Sequence, residues 1–383
     1  MNWRRVLLIA SIVVWALLIV GACTTVLLPK LPTPGLLVSF IVTSYSLWLL
    51  IVAVAGALFA WAAWRLRWRW ATAGVVVIAV LAAVGGLLPW AMSLGTANAN
   101  GVNLSLPRYF SSGPHIAAPT PTEVYATPDG QPLRLDVRRS PHPAPGRPAV
   151  VDVHGGAWIE GGRGDDAMLG QWLVEQGYTV FDIDYRLSPP PRWNVQASDV
   201  KCAIGWVAQH AQTYDIDPGN ITVTGGSAGG NLALLAAYTP GTGAYPPSCA
   251  VPEQPVRAVI SFFGPTAVGP LMHDSGAPSL ASEVESKVFG GSPQALPAEY
   301  STMSPMTYVR AGLPPTLQLI GSRDHLVPTA QATTLDDRLA AVGVAHRTVV
   351  LPWADHGFNG VWGNWSTQIA YGVLAQFLGV YTH

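Results

Sequence analysis

Acidic residues are missing from the first third of this chain. Residues 1–122 contain neither Asp nor Glu, although the whole sequence of 383 residues has 22. Charged residues of both signs make up 11% of the sequence, whereas soluble globular domains carry about 25%. So long a stretch with so little charge excludes a single soluble domain, and we expect the first part of the chain to lie in a different environment from the rest.

Motifs that hold common cofactors are also missing. No Cys and His spacing typical of zinc occurs, and neither a phosphate-binding loop nor a dinucleotide-binding Gly pattern is present. Six basic residues lie in 1–95, which leaves 15 basic against 22 acidic residues in the remainder, a net charge of about −7 there. The sequence therefore predicts no metal, no organic cofactor, no nucleic-acid partner and no electrostatic attraction to anionic lipid.

The first third contains three long apolar runs instead, at residues 6–28, 36–64 and 71–94. Each run exceeds the roughly 20 residues that a helix needs to cross a bilayer, and none has a polar face. The sequence therefore predicts a membrane anchor of three transmembrane helices in residues 1–95. A segment rich in Asn, Ser, Gly and Pro at 96–122 predicts a linker to a second domain at 123–383.

Basic residues predict the orientation of this anchor. Two groups of arginines flank the apolar runs, namely Arg4 and Arg5 before the first, and Arg65, Arg67 and Arg69 between the second and third. Only Lys30 lies between the first two runs. Because cytoplasmic loops are enriched in positive residues, the arginines are expected in the cytoplasm and residues 123–383 outside it. A ratio of 18 Arg to 3 Lys suggests a GC-rich bacterial source, so the membrane is expected to be a bacterial cytoplasmic membrane, crossed several times.

The three cysteines leave two questions open. Residues 20–23 resemble a lipoprotein signal, in which Cys23 would be lipidated, but the apolar run continues beyond it. Cys202 and Cys249 lie in the second domain, where an oxidising compartment would allow them to pair. A disulfide between them and two buried free thiols are both compatible with the sequence.

Residues 222–230, Thr-Val-Thr-Gly-Gly-Ser-Ala-Gly-Gly, form the most specific pattern in the chain. A β-branched run ends in Gly-x-Ser-x-Gly, and an Ala- and Leu-rich helical run follows at once. This strand–turn–helix context is that of a nucleophile elbow, whose turn exposes the serine hydroxyl. The pattern predicts that Ser227 is a catalytic nucleophile.

Two residues downstream complete a triad in the order nucleophile, acid, histidine. Asp324 follows a strand-like run at 316–321, and His356 follows another at 347–351. The histidine would take the serine proton, and the carboxylate would orient and stabilise the imidazole. Asp355 and His325 are the neighbouring alternatives, but side chains adjacent in sequence rarely meet in the required geometry. Asp355 is therefore expected to cap its loop.

The oxyanion hole is predicted from a Gly-rich turn after a third strand-like run, 149–153. Successive glycines let backbone N–H groups approach a substrate without side-chain obstruction. We assign the hole to Gly155 and Gly156, with the N–H of Ala228 after the nucleophile, and Ala157 is a possible substitute. Trp158 beside this turn is a candidate pocket wall, although a core position is equally compatible with the sequence.

Five motifs in order carry a family resemblance over roughly residues 123–380: 154–158 (HGGAW), 184–189 (DYRLSP), 225–230 (GGSAGG), 322–328 (SRDHLVP) and 355–358 (DHGF). They resemble the α/β-hydrolase fold, and within it the esterase/lipase group of hormone-sensitive-lipase-like enzymes and bacterial carboxylesterases of the feruloyl-esterase-like type. Gly226 stands where many hormone-sensitive-lipase relatives have Asp, and Ala157 replaces the third Gly of their His-Gly-Gly-Gly. Both departures point to the second subgroup, whose members the resemblance implies cleave small acyl esters.

These observations predict an α/β fold, specifically an α/β-hydrolase fold with a mostly parallel sheet flanked by helices, preceded by three transmembrane helices. Residues 263–310 lack clear periodicity and are expected to form a small cap. The predicted function is a membrane-anchored serine hydrolase that cleaves carboxylic esters through an acyl-enzyme. An acyltransferase or amidase with the same triad, and a non-catalytic exported scaffold, are the alternatives. The expected partners are a small-molecule or lipid acyl ester and the lipid bilayer, with no prediction of oligomeric state.

Overall fold

The computed structural model describes residues 3–27, 44–119, 121–139 and 146–382. The start of the second predicted span and Lys30 lie outside these residues. The side chains of Arg4, Arg5 and Cys23 also lie outside the described part of the chain.

In the part of the chain that the structure describes, the sheet is preceded by α1 (Trp3–Leu27), α2 (Trp48–Arg65), α3 (Arg69–Ala99) and α4 (Leu106–Tyr109). Within the described residues, α2 and α3 are long and apolar enough to cross a membrane, while the apolar part of α1, Ile9–Gly21, is shorter. Only 22% of the apolar window of α2 and of α3 is buried, which differs from the core helix of a soluble domain. Helix α3 runs beyond the predicted boundary at residue 95 and ends at Ala99.

Small residues bring these helices into close contact. A Cβ on Gly86 of α3 would lie 3.1 Å from Cγ of Leu50 in α2, and one on Gly56 would lie 2.3 Å from the ring of Trp15 in α1. The indole N–H of Trp15 donates to the carbonyl of Val52 at 3.1 Å. Such close packing through small residues is typical of helix pairs in membranes.

An eight-stranded sheet follows, with strands β1 (Thr122–Ala126), β2 (Leu133–Arg138), β3 (Arg147–Val153), β4 (Thr179–Ile183), β5 (Ile216–Gly226), β6 (Ala258–Phe262), β7 (Thr316–Gly321) and β8 (His346–Leu351). Their order is β1-β2-β4-β3-β5-β6-β7-β8. The pairs β1–β2 and β2–β4 are antiparallel, and the other pairs are parallel. The prediction of a mostly parallel sheet is confirmed, and the inner strands are buried on both faces, as parallel sheets require.

The register of the parallel strands aligns their carboxyl ends. Val153, the last residue of β3, pairs with Gly225 of β5. Gly321, the last residue of β7, pairs with Leu351, the last of β8. The loops that follow β3, β5, β7 and β8 therefore meet at one edge of the sheet, where α/β proteins bind their ligands.

Helices cover the sheet: α5 (Ala167–Glu175), α6 (Gln196–Gln209), α7 (Ala228–Tyr238), α8 (Val268–Asp274), α9 (Pro278–Val284), α10 (Pro297–Thr302), α11 (Ala330–Ala341) and α12 (Trp365–Tyr381). The prediction that helices flank the sheet is confirmed. Helices α8, α9 and α10 lie in the segment expected to form a cap. Gln331 of α11 fixes the start of that segment, because its side-chain oxygen accepts from the N–H of Thr266 at 2.9 Å and of Ala267 at 2.7 Å.

The segment between α3 and β1 packs on both neighbours. The ring of Tyr109 in α4 lies 4.3 Å from that of Trp365 in α12. Its hydroxyl accepts from the N–H of Leu47 at 3.2 Å and donates to the carbonyl of Ser44 at 3.3 Å. Helix α4 therefore joins the region before α2 to the domain that contains the sheet.

A disulfide bond joins Cys202 of α6 to Cys249, with the two Cα atoms 5.5 Å apart. The bond closes a loop over a sequence separation of 47 residues. This loop contains β5, α7 and Ser227, so the disulfide fastens the segment after α7 to the helix before β5. Of the two states that the sequence left open, the structure has the bonded one.

Candidate active site

Ser227 lies in a strained turn between β5 and α7. Its φ is 55° and its ψ is −121°, in a region that residues with a side chain rarely occupy, and its N–H donates to the carbonyl of Phe262 at 2.9 Å. A Cβ on Gly229 would lie 1.9 Å from the carbonyl oxygen of Val153, and one on Gly225 would lie 2.5 Å from the backbone of Gly229. The turn can form only because these two positions have no side chain.

The structure brings Ser227, His356 and Asp324 into one hydrogen-bonded line. Nε2 of His356 lies 2.8 Å from Oγ of Ser227, and its Nδ1 lies 2.9 Å from Oδ2 of Asp324. The Asp324 side chain is fully buried, and its Oδ1 accepts from the N–H groups of Leu326 at 3.0 Å and Val327 at 2.7 Å. A carboxylate held this way accepts the Nδ1–H of the imidazole, which leaves Nε2 free to accept the serine proton.

A second Asp–His pair lies beside this line and had not been expected from the sequence. Oδ2 of Asp355 lies 2.7 Å from Nδ1 of His325, and its Oδ1 accepts from the N–H groups of His325 at 3.2 Å and His356 at 2.7 Å. Each Asp thus binds the His of the other loop. Asp355 caps its loop as predicted, and in addition it ties that loop to the loop after β7.

The glycine turn after β3 packs against the nucleophile. A Cβ on Gly155 would lie 3.5 Å from Cβ of Ser227, and Gly156 has a φ of 104°. Ala157 and Trp158 also have positive φ values, 52° and 64°, so this turn holds three successive residues in the left-handed region. Among the described residues, the N–H groups of Gly155 and Gly156 donate to no backbone carbonyl. Ala228 is the first residue of α7, a position whose N–H has no partner within the helix.

The His154 side chain packs against this turn. Its Nδ1 lies 2.7 Å from the carbonyl oxygen of Gly155, and its ring stacks on that of Tyr185 at 4.2 Å. Burial lowers the pKa of His154, so the ring is neutral at pH 7 and its Nδ1–H donates to Gly155. The residue orders the loop that contains the glycine turn.

A narrow cavity opens beside Ser227, with a volume of about 40 Å³. Its apolar walls come from the glycine turn, the loop after β7 and the segment after β6: Ala157, Trp158, Pro265, Leu271, Met272, Leu280, Ala281, Val284, Leu326 and Val327. Trp158 is 3% exposed, so it is a cavity wall and a core residue at once. Sequence reasoning missed the residues from α8 and α9, because no local pattern marks them.

Three carboxyl groups lie close to the elbow: Asp152 and Asp182 are buried, and Asp166 is half-buried. An ideal Cβ on Gly226 would lie 4.0 Å from Oδ2 of Asp166, and Asp182 pairs with Asp152 across β3 and β4. Burial and the neighbouring carboxylates raise the pKa of Asp166 to about 6 and that of Asp152 well above its usual range. Asp182 has a partner in Arg138, whose Nε lies 2.7 Å away. Across the residues that the structure describes, no group of three or more His, Cys, Asp or Glu side chains is arranged to hold a metal ion.

The mostly parallel sheet, the strained serine turn after β5 and the converging loops define a protein of the α/β-hydrolase fold. The BD-FAE family model matches residues 135–339, more than half of the chain, and the protein therefore belongs to the BD-FAE family.

Known relatives agree with this assignment. Esterase LipQ of Mycobacterium tuberculosis (strain ATCC 25618 / H37Rv) is 35% identical over 276 residues, covering 70% of this chain and 64% of LipQ. Esterase LipC of the same organism is 34% identical and is covered over 57% of its length, so the chain spans less than two thirds of these relatives. The apo structure of Thermogutta terrifontis esterase 2 superposes with a TM-score of 0.59 at 25% identity, over 72% of this chain and 97% of that one. A butyrate-bound structure of the same esterase gives a TM-score of 0.58 at 25% identity, over 73% and 97%.

Proposed function

We propose that this protein is a membrane-anchored serine hydrolase that cleaves carboxylic esters through a Ser227–His356–Asp324 triad. The observation that carries the proposal is the continuous line from Asp324 through His356 to Ser227, placed at a strained elbow. The esterase names of the curated relatives and of the structural neighbour support the same reaction class.

In the first half-reaction, Oγ of Ser227 attacks the ester carbonyl carbon while Nε2 of His356 takes the hydroxyl proton. The tetrahedral intermediate then collapses, the bond from carbon to the alcohol oxygen breaks, and His356 returns its proton to the leaving alcohol. In the second half-reaction, His356 takes a proton from water as the water attacks the acyl carbon. The bond from that carbon to Oγ of Ser227 then breaks, and His356 returns its proton to Oγ. The products are a carboxylic acid and a free Ser227.

The surrounding groups lower the barrier of each step. Asp324 holds the imidazole in the tautomer that presents Nε2 to the serine and stabilises the imidazolium that forms. The N–H groups of Gly155, Gly156 and Ala228 are assigned to the developing oxyanion, because preorganised backbone donors stabilise charge that appears only in the transition state. None of these steps needs a metal or an organic cofactor.

The acyl group is proposed to be short. A cavity of about 40 Å³ beside Ser227 holds an acyl group of only a few carbon atoms. Leu271 and Met272 of α8 with Ala281 and Val284 of α9 form part of its wall, which gives the segment 263–310 the role of a cap over this pocket. The butyrate-bound state of the Thermogutta terrifontis esterase supports a short acyl group in that fold.

Anchoring and location belong to the same proposal. Residues 1–95 are assigned to a multi-pass anchor, 96–122 to a linker and 123–383 to a catalytic domain outside the cytoplasmic membrane. The two long apolar helices α2 and α3, with the basic residues Arg65, Arg67 and Arg69 at the turn between them, support this topology. The bond between Cys202 and Cys249 supports an oxidising compartment.

The test is covalent labelling of intact cells with a fluorophosphonate probe whose charged tag cannot cross the membrane. We expect the wild type and Ser286→Ala to be labelled and Ser227→Ala to show no labelling. Ser286 is an exposed serine far along the chain from the elbow, so it controls for unspecific serine labelling. Absence of labelling in folded wild-type protein from lysed cells would contradict the hydrolase, and labelling only after lysis would contradict the external location.

A further inference from the structure

The exposed apolar surface of α3 marks where the bilayer ends. Large apolar side chains are exposed along this helix at Trp70, Val76, Val77, Val80, Leu81, Val84, Leu87, Leu88 and Met92. At 1.5 Å per residue, the stretch from Trp70 to Met92 is about 33 Å long, close to the roughly 30 Å of a hydrocarbon core. A hydrocarbon core spanned by this stretch would have its outer boundary at Met92.

The loop that bears His356 rests on this boundary residue. Nε1 of Trp353 donates to Sδ of Met92 at 2.8 Å, and the Trp353 side chain is buried there. Trp353 precedes His356 by three residues, so their Cα atoms are at most about 11 Å apart. The guanidinium of Arg323, next to Asp324, lies 3.7 Å from the centre of the Trp353 ring. Trp353 contacts Met92 directly, and Arg323 contacts Trp353, so the loops that supply the acid and the base both pack near Met92.

A second exposed apolar surface lies on α4 and at the start of α2. Leu106 and Phe110, at the two ends of α4, are 49% and 56% exposed. The Phe110 ring packs edge-on against Trp48 at 5.9 Å, and Trp48 is itself half exposed in the first turn of α2. The exposed apolar surface of the catalytic side is therefore continuous with that of a helix assigned to the membrane. Apolar side chains beside an interfacial Trp are those that enter the boundary between headgroups and acyl chains.

We infer that the catalytic domain lies on the outer bilayer surface, held by Leu106, Phe110 and the Trp353–Met92 contact, and that it takes its substrate from that bilayer. This inference rests on the proposed function. Because the cavity beside Ser227 accepts only a short acyl group, the membrane-embedded part of the substrate is its alcohol. The substrate class is an amphiphile whose hydroxyl carries a short acyl group at the headgroup level. Hydrolysis breaks the bond between the acyl carbon and that oxygen, releases the short acid into water and leaves the hydroxyl on the lipid.

The experiment compares three esters with the full-length protein in phosphatidylcholine vesicles. p-Nitrophenyl acetate is the soluble ester, hexadecyl acetate is an embedded ester with a short acyl group, and methyl palmitate is an embedded ester with the long chain on the acyl side. We expect hydrolysis of the first two, a rate on methyl palmitate at least 100-fold lower than on hexadecyl acetate, and a hexadecyl acetate rate that follows its mole fraction in the bilayer.

A pair of variants tests the docking surface. Phe110→Ser is expected to lower the rate on hexadecyl acetate at least tenfold more than the rate on p-nitrophenyl acetate. Ile116→Ser replaces another exposed apolar residue, 45% exposed against 56% for Phe110, outside this surface, and both rates are expected to stay at the wild-type level.

The outcomes separate the inference from the function on which it rests. Hydrolysis of p-nitrophenyl acetate without hydrolysis of hexadecyl acetate would overturn the inference and leave the esterase proposal intact. Equal rates on hexadecyl acetate and methyl palmitate would overturn the assignment of the lipid to the alcohol side. Equal effects of Phe110→Ser on both acetates would overturn the docking surface, and failure to hydrolyse any of the three esters would contradict the proposed function itself.

Discussion

Oδ2 of Asp355 lies 2.7 Å from Nδ1 of His325, and a second pair is formed by Asp324 and His356, the residues adjacent to them in sequence. The sequence places Asp324 next to His325 and Asp355 next to His356, yet each Asp binds the His on the opposite loop. Because β7 and β8 are parallel neighbours, the loops that follow them lie side by side. The two Asp–His pairs each connect one loop to the other. The second bridge fixes the distance between the proposed acid and base.

The first prediction concerns this bridge. Asp355→Asn leaves one acceptor oxygen where the carboxylate has two. The side chain can then no longer accept both from the Nδ1–H of His325 and from the backbone N–H groups of His325 and His356, which weakens the bridge without touching the acyl cavity. We expect kcat for p-nitrophenyl acetate to fall about 10- to 100-fold, the effect of a displacement of about 1 Å in a catalytic group, with KM unchanged. Steady-state kinetics measure both constants.

Asp324→Asn is the comparison for this variant. It is expected to lower kcat about 10⁴-fold, because the imidazole loses the carboxylate that sets its tautomer. A wild-type kcat for folded Asp355→Asn would show that the second pair does not position the loops.

The second prediction concerns the elbow. Gly229→Ala would place a methyl group 1.9 Å from the carbonyl oxygen of Val153, a contact that the backbone must move to relieve. We expect a loss of about 3 kcal/mol or more in the free energy of unfolding. Thermal unfolding measures it, with Gly379→Ala in α12 as the control, because an added Cβ there meets no atom within 4 Å and a helical Gly→Ala change stabilises by about 0.5–1 kcal/mol. Equal Tm values for Gly229→Ala and the wild type would contradict the packing described here.

The third prediction concerns the disulfide. Closing a loop over 47 residues stabilises the folded state by about 4 kcal/mol in the chain-entropy treatment. The double variant Cys202→Ala, Cys249→Ala is therefore expected to unfold at a lower temperature, with esterase activity retained below its Tm. Dithiothreitol should lower the Tm of the wild type and leave that of the double variant unchanged. A wild-type Tm that does not respond to reductant under denaturing conditions would argue against the bond.

The fourth prediction concerns pH. Burial and the neighbouring Asp182 raise the pKa of Asp166 to about 6 in the folded protein, above the ordinary value of 3.8. The folded state then holds the proton more tightly than the unfolded state, so the stability that protonation contributes is complete below pH 3.8 and is lost as the pH rises through about 6. Asp166→Asn keeps the shape of the side chain and removes its charge. We expect the free energy of unfolding of this variant to fall less with rising pH than that of the wild type, and to be higher than that of the wild type at pH 8. Urea denaturation at pH 4.5, 5.5, 6.5 and 8 tests this, and a parallel pH dependence for variant and wild type would refute it.

Local patterns were enough to predict the elbow and the strands that lead into the site. The run 222–230 contains the strand, the turn and the start of the helix, and the glycines that the turn requires are part of the pattern itself. The strand-like runs before Asp324 and His356 correspond to β7 and β8, and the expected α/β sheet with flanking helices is confirmed. These elements depend on turn chemistry and on hydrophobic neighbours a few residues apart.

Other parts of the site had no local signal. Leu271, Met272 and Ala281 wall the cavity from short helices in a segment without clear periodicity, and the sequence could say only that a cap was expected there. The anchor shows the same division. The apolar runs predicted helices, whereas α3 ends at Ala99, and the carbonyls of Asn100 and Gly101 that follow it accept from the side chain of Gln376 in α12.

The sequence by itself determined which residues supply the candidate nucleophile, acid, base and oxyanion donors, and in which order the strands present them. These residues can be identified from the sequence because small residues form the turn and an apolar strand precedes it within one short segment. Only the tertiary structure decided that Asp355 pairs with His325 and that Trp353 rests on Met92, across 261 positions of sequence. Such contacts depend on how strands and helices pack against one another, and no spacing within either segment specifies the partner.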